Sequence, residues 1–314
     1  MGDLLTAFPA LALLRDARPD SEFTLACREA YGLFFRECGL AEHVVSADSP
    51  MLTGLFGDCE KGSPRLDPWL ARFDEVWGWM NGGSGAGLAR SLAGHGARNV
   101  RIIGPPRRSS PRPLYTHYLE ETARAAGCPF PGEETSKAYC RLKACRGDGS
   151  GRMSEASAPV IIHPGSGGKD KCWPLERFLE IVRRLSARGA EGLLVTGEAE
   201  ERMAPALCSF RFPDGWNWMR RPPLRRLAEL LARSRFYLGN DSGVTHLAAA
   251  CGAPVLALFK EENAVFWRPC GNVEIFSAEK IGNISVDVVW EKISQLKTAH
   301  NRVQTAISVL LSKK

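Results

Sequence analysis

The chain has 314 residues, 44% hydrophobic and 24% charged, a make-up that suits a globular protein long enough for two domains. No apolar run approaches the roughly 18 residues a membrane span needs, and the formal net charge of +6 comes with no helix-turn-helix, RNP or basic-region pattern. Small anionic ligands or an anionic surface are therefore expected, and no nucleic acid. The cysteines form no CxxC pair and no Cys/His cluster at zinc spacing, which argues against a zinc module and predicts reduced thiols in a cytoplasmic protein.

In chain order, MGDLLTAFPALALLR (1–15) places Leu4, Leu5, Phe8, Leu11, Ala12 and Leu14 on the buried side of a helix. Pro9 must lie near its start or kink it. With no basic leader and an aspartate at position 3, the segment is not expected to be a signal peptide. Asp3 falls where the helix begins and complements the macrodipole; simple capping is the plainer explanation of it. Strand-like runs follow at 23–27, 43–47, 73–79 and 99–104, separated by helix-like segments. After the Gly/Ser-rich stretch 147–159 the alternation resumes with VIIH, GLLVTG, FYLG and VLALF. Short, nearly continuous apolar strands alternating with helices predict parallel sheets covered on both faces. Two doubly wound α/β domains are expected, 1–155 and 156–314, with the Gly/Ser stretch as linker.

Two strand–loop–helix units in the second domain carry possible chemistry. In VIIHPGSGGKDKCWPLERFLEIVRRL (160–185) a strand ends at His163, and a glycine-rich loop carries Lys169 and Lys171. Pro174 suits a first helical position, and Leu175, Phe178, Leu179, Val182 and Leu185 form the apolar face. The spacing fits neither a Walker A loop nor GxGxxG. In YLGNDSGVTHLAAACGAPVLALF (237–259), Val244, Leu247, Ala248 and Cys251 mark one helical face, Asp241 or Ser242 can cap it, and Gly252 can stop it. The helix thus begins at the carboxyl end of a strand, where unpaired N–H groups and the helix dipole favour an anion. Gly243 removes a Cβ from the ligand's path, Ser242 and Thr245 offer hydroxyls, and His246 lies in the first turn. A solvated basic loop and an ordinary capped helix with a buried histidine are the plainer explanations.

Together, GDLLTAFPAL, IIHPGSGGKDKCWPLERF and LGNDSGVTHLAAACGAPVLALF resemble, in order and separation, the bacterial glycosyltransferase family that contains the ADP-heptose:lipopolysaccharide heptosyltransferases (glycosyltransferase family 9). The resemblance implies the GT-B fold, two Rossmann-like domains facing a cleft, with the acceptor on the first and the nucleotide-sugar on the second. It implies Asp3 as general base, Lys171 at the donor phosphates, and Asp241, Ser242, Gly243, Val244, Thr245 and His246 as the donor-binding loop and helix start. Glu201 is implied near the donor ribose. The expected activity is inverting, metal-independent transfer of a sugar, heptose among the candidates, from a nucleotide diphosphate donor such as ADP-heptose to a lipopolysaccharide core or related cell-surface glycan. The chain contains no Asp-x-Asp, so neither metal nor cofactor is expected. Location is expected to be cytoplasmic, with a peripheral contact at the inner face of the membrane. Two alternatives remain: an epimerase-like enzyme that turns over donor alone, and a non-catalytic nucleotide-binding remnant.

Two departures from the family pattern are evident. The family places a strand before its Gly-Asp loop, whereas Met1 here directly precedes Gly2, so the first sheet is expected to lack that strand. After VLALF the family usually continues Gly-Pro-Thr, and this chain has Lys260-Glu261-Glu262, whose carboxylates should repel a diphosphate unless turned away. Arg107, Arg108 and Arg112 could meet a phosphorylated acceptor, although a solvated loop explains them better. The run 220–234 reads as a turn and a helix with arginines in solvent, and the tail 300–314 as a last packed helix.

Overall fold

A computed structural model of the chain describes residues 1–53, 55, 66–80, 82–106, 112–130, 132, 138–142 and 158–295. The linker residues 147–157, Arg107, Arg108 and the tail 300–314 lie outside the described residues. The amino-terminal half contains helix α1 (Gly2–Ala17), strand β1 (Thr24–Cys27), α2 (Glu29–Glu37), β2 (His43–Ser46), β3 (Val76–Trp79), α3 (Gly82–Gly94), β4 (Val100–Ile103) and α4 (Leu114–Ala126), counting the longer helices only. Pro9 sits inside α1 and the helix continues to Ala17. Leu5, Phe8 and Leu11 pack toward the carboxyl-terminal half, while Ala7 and Ala10 meet Leu114 and Tyr118 of α4. Apolar on nearly every side, α1 is the spine that joins the halves.

Among the described residues the first sheet is in two pieces. β1 pairs in parallel with β2, β3 pairs in parallel with β4, and neither pair bonds the other. Residues 73–79 and 99–104 therefore do not close the sheet among the described residues. Every residue of β3 and β4 is only half-buried, whereas β5 is buried throughout.

The carboxyl-terminal half carries β5 (Val160–His163), α5 (Leu175–Ser186), β6 (Gly192–Thr196), β7 (Trp216–Arg220), α6 (Leu224–Ala232), β8 (Phe236–Asn240), α7 (Gly243–Ala250), β9 (Val255–Lys260) and β10 (Val273–Ala278). All six strands run parallel in the order β10-β9-β8-β5-β6-β7. Successive side chains alternate between faces, so one sheet serves two cores. Ile161, Tyr237, Val255, Ala257 and Phe259 face the core shared with α1, α6 and α7. Val160, Ile162, Phe236, Leu238, Leu256 and Leu258 face Phe178, Ile181, Val182 and Leu185 of α5.

β7 and β10 are the two outer strands, and neither was expected from the sequence. One thiol expectation is corrected: Cys140 and Cys270, with Cα atoms 5.5 Å apart across 130 residues of sequence, form a disulfide. Spacing along the chain carries no signal for such a distant pair. The bridge fastens the 138–142 segment near α7, where the Leu142 N–H also donates to the Ala250 carbonyl at 2.9 Å. The arginines of 220–234 are not simply solvated: Arg225 reaches Glu37 at 3.0 Å as well as Glu229, and Arg220 and Arg221 grip Glu201. Arg112 is exposed and paired with Glu120 at 2.8 Å.

Candidate functional site

From β5 the chain builds β6 and β7 on one side, then returns to build β8, β9 and β10 on the other. The order therefore reverses between β5 and β8, and the crevice at such a switch point, beyond the carboxyl ends of the strands, is where open α/β sheets bind ligands. Both strand–loop–helix units leave from these two strands: one loop follows His163 and the other follows Asn240.

Asn240, fully buried, ties the two loops together. Its Oδ1 accepts the Trp173 N–H at 3.0 Å, and its Nδ2 donates to the Pro164 carbonyl at 2.8 Å, so it grips both ends of the glycine-rich loop. Ser166 Oγ donates to the Asp241 carbonyl at 2.6 Å. The loop's 3-10 turn, Lys169–Lys171, delivers Lys171 Nζ to Asp241 Oδ2 at 3.0 Å. Asn263 Nδ2 reaches the same oxygen at 3.1 Å. Asp241 is thus held as a buried anion at the mouth of α7, neutralised by one ammonium. Pro174 immediately precedes α5, one position earlier than its expected place in the first turn.

Ser242 is the cap of α7, its Oγ accepting the Thr245 N–H at 3.3 Å. Thr245 Oγ1 donates back to the Asn240 carbonyl and meets the Tyr237 hydroxyl at 3.0 Å. These bonds leave the N–H groups of Gly243 and Val244 at the first turn without a helical acceptor. Gly243 is needed for close approach: a Cβ there would lie 3.0 Å from the Gly2 nitrogen and 3.1 Å from Met1 Cβ. The amino ends of α1 and α7 therefore meet. Two positive dipole ends in one place call for negative charge, and Asp3 and Asp241 lie in the first turn of one helix and just before the other. Asp3 is exposed, and its charge helps to raise the Tyr118 hydroxyl to about 12, after burial as the main cause.

His246 is buried behind this mouth. Burial pushes it down to about 4, with the positive charges of the Met1 amine and Lys171 adding. It is neutral near pH 7 and contributes no cation. Because its folded pKa lies below the unfolded value of about 6.5, the unfolded chain takes up the proton first. Stability from this group is complete above about pH 6.5 and drains as pH falls toward 4. Relative to its value at pH 7, the parent should lose on the order of 2 kcal/mol more by pH 5 than His246→Gln does, read by urea unfolding at both pH values.

Glu201 stands apart. It lies beyond the carboxyl end of β6, on the ligand side of the sheet, but its carboxylate binds Arg220 at 2.9 Å and Arg221 at 3.0 Å. No bond connects it to Lys171 or Asp241. Its neighbour Glu200, not singled out from the sequence, is buried beside the loop. Burial pushes its carboxyl up, but His163 at 3.5 Å and the Gly197 N–H at 2.7 Å outweigh that and leave it below the usual range. A Cβ on Gly165 would come within 1.9 Å of Glu200 Oε1, so glycine is required there. Asn263 and Glu200 carry no signal in the sequence, and Asn240 stands out there without a role. Asn240 at the end of a buried strand was the one available signal.

Residues 114–287 match the family model Glycosyltransferase family 9 (heptosyltransferase). Lipopolysaccharide heptosyltransferase 3 of E. coli is 30% identical over 122 residues, which is 36% of this chain and 34% of that protein. The chain thus aligns with about a third of the length of that relative. Among solved structures, E. coli heptosyltransferase WaaC with ADP superposes with a TM-score of 0.68 at 17% identity, covering 94% of this chain and 97% of that one. A family 9 glycosyl transferase from Veillonella parvula gives 0.71 at 15% identity, covering 94% of each. These likenesses show the GT-B fold.

Proposed function

This chain belongs to glycosyltransferase family 9, the heptosyltransferase family, and from that membership we propose that it is an inverting glycosyltransferase that moves a sugar from a nucleotide diphosphate donor to a lipopolysaccharide core or related glycan. Asp3 takes the proton from the acceptor hydroxyl as it attacks the anomeric carbon. The departing diphosphate is received by the free N–H groups of α7 and by the Lys171 ammonium, which supply the charge stabilisation a metal would otherwise give. The single observation that supports this most is the convergence of the Lys171 loop and the α7 amino end at the switch between β5 and β8, with the start of α1 packed beside it. ADP-heptose is the favoured donor, since a relative of like fold is described with ADP. No described helix is long and apolar enough to cross a membrane. The proposed location is the cytoplasm, at the inner membrane face where the acceptor lies, although the Cys140–Cys270 bridge is unusual for that compartment; the proposed domains are 1–155 and 156–314.

The test is release of ADP from ADP-heptose with and without a heptose-deficient core acceptor. Release that requires acceptor supports transfer; turnover of donor alone supports an epimerase-like enzyme; binding without turnover supports a remnant. Lys171→Met should weaken donor binding roughly 10- to 100-fold by titration calorimetry, the worth of a charge-assisted hydrogen bond. Asp241, left with Asn263 alone, adds its repulsion to that loss.

A further inference from the structure

Lys260 is the last residue of β9 and brings a second ammonium toward the mouth from outside both the Lys171 loop and α7. Asn240 of β8 lies opposite Leu258 of β9, so Lys260 stands level with Ser242, the cap of α7, one strand away. Lys171 arrives from the β5 side of β8, and Lys260 stands on the β9 side. The two cations flank the helix mouth.

Each ammonium is held by an acid. Lys260 Nζ lies 3.1 Å from Asp170 Oδ2 and 3.1 Å from Glu262 Oε1. The carboxylates expected to repel a diphosphate are therefore partly neutralised, and Glu262 is turned onto Lys260. Asp170 and Lys171 are adjacent in one short turn, so that turn arches over the end of β8 with a foot on either side: Asp170 on Lys260, Lys171 on Asp241. The two feet differ. The Asp241 side chain is 8% exposed, whereas those of Asp170 and Glu262 are 69% and 65% exposed. Exposed pairs contribute little, because solvent screens them and both side chains lose freedom. A diphosphate oxygen in a less exposed place makes a stronger charge-assisted bond and can exchange for Asp170 at small cost.

We propose that Lys260 is a second donor-recognition cation, parked on Asp170 and Glu262 until a nucleoside diphosphate displaces Asp170. This rests on the donor site proposed above. Asp170 then competes with the ligand for Lys260, which separates recognition from mere tethering of the turn. The experiment titrates ADP, UDP and GDP into the parent, Lys171→Met, Lys260→Met and Asp170→Asn, each checked for an unchanged melting temperature. Lys260→Met should weaken binding of the preferred diphosphate about tenfold, and Asp170→Asn should leave it equal or tighter, with adenosine, uridine or guanosine alone unaffected. Equal weakening by Lys260→Met and Asp170→Asn would overturn the proposal in favour of a tether. Unchanged affinity in Lys260→Met, with Lys171→Met weakened, would overturn it while leaving the donor site standing. A parent that binds none of the three diphosphates would remove the donor site itself, and this proposal with it.

Discussion

Asp3→Asn should lower acceptor-dependent transfer by about a hundredfold to ten-thousandfold, the range for loss of a positioned general base. Donor affinity should stay within about twofold of the parent, because no hydrogen bond of the donor loops involves Asp3. The substitution keeps the shape of the side chain and removes its ability to take a proton. It also removes a favourable charge at the start of α1, at a cost of about 0.3–1 kcal/mol, too little to explain a rate loss of that size. The measurement is kcat and KM for transfer together with donor affinity by calorimetry. A parallel fall in rate and donor affinity would show that Asp3 acts through the packing of α1 against α7 and is not the base.

Asn240→Leu is the second large effect. Asn240 is fully buried and serves the Trp173 N–H and the Pro164 carbonyl, neither of which has water to turn to. Leucine is close in size, so the cost comes from stranded polar groups and not from a cavity. Two such groups at about 1–3 kcal/mol each predict a loss of roughly 2–6 kcal/mol, read as a shift in the urea midpoint. Donor binding should fail as well, because the loop carrying Lys171 is released at both ends. A variant that loses stability but keeps donor binding would show that the loop has another anchor, with Ser166 on the Asp241 carbonyl the first place to look.

The carboxyl-terminal half was legible because its buried strands read as unbroken apolar runs and its helices as clear stripes. VIIH, FYLG and VLALF became β5, β8 and β9, and Ser242 and Gly252 bound the helix as their residue types suggest. β7 and β10 escaped because outer strands are covered less completely: WNWMR and VEIFSA mix polar with apolar residues and lack that signature. Lys171, Asp241, Ser242 and Gly243, proposed above for the donor side, stand out in the sequence as a pattern of types beside a strand end. What the pattern could not give was who holds whom. The grip of Asn240 on residues 164 and 173, of Asn263 on Asp241 and of Asp170 on Lys260 all join positions distant in sequence, and only the folded sheet brings them within bonding range. The same limit hid the Cys140–Cys270 bridge. As a linear pattern Lys260-Glu261-Glu262 presents a pair of repulsive carboxylates, and only the fold turns Glu262 back onto its own lysine.

The divided first sheet sets how the molecule opens. Each of its pairs leaves an outer ladder unmade, whereas β5, β8 and β9 are bonded on both sides among the described residues. In deuterated buffer the amides of β1 to β4 should exchange early, through small local openings, while those of β5, β8 and β9 wait for global unfolding. Breathing would then be concentrated in the amino-terminal half, proposed to meet the acceptor, while the six-stranded platform stays rigid.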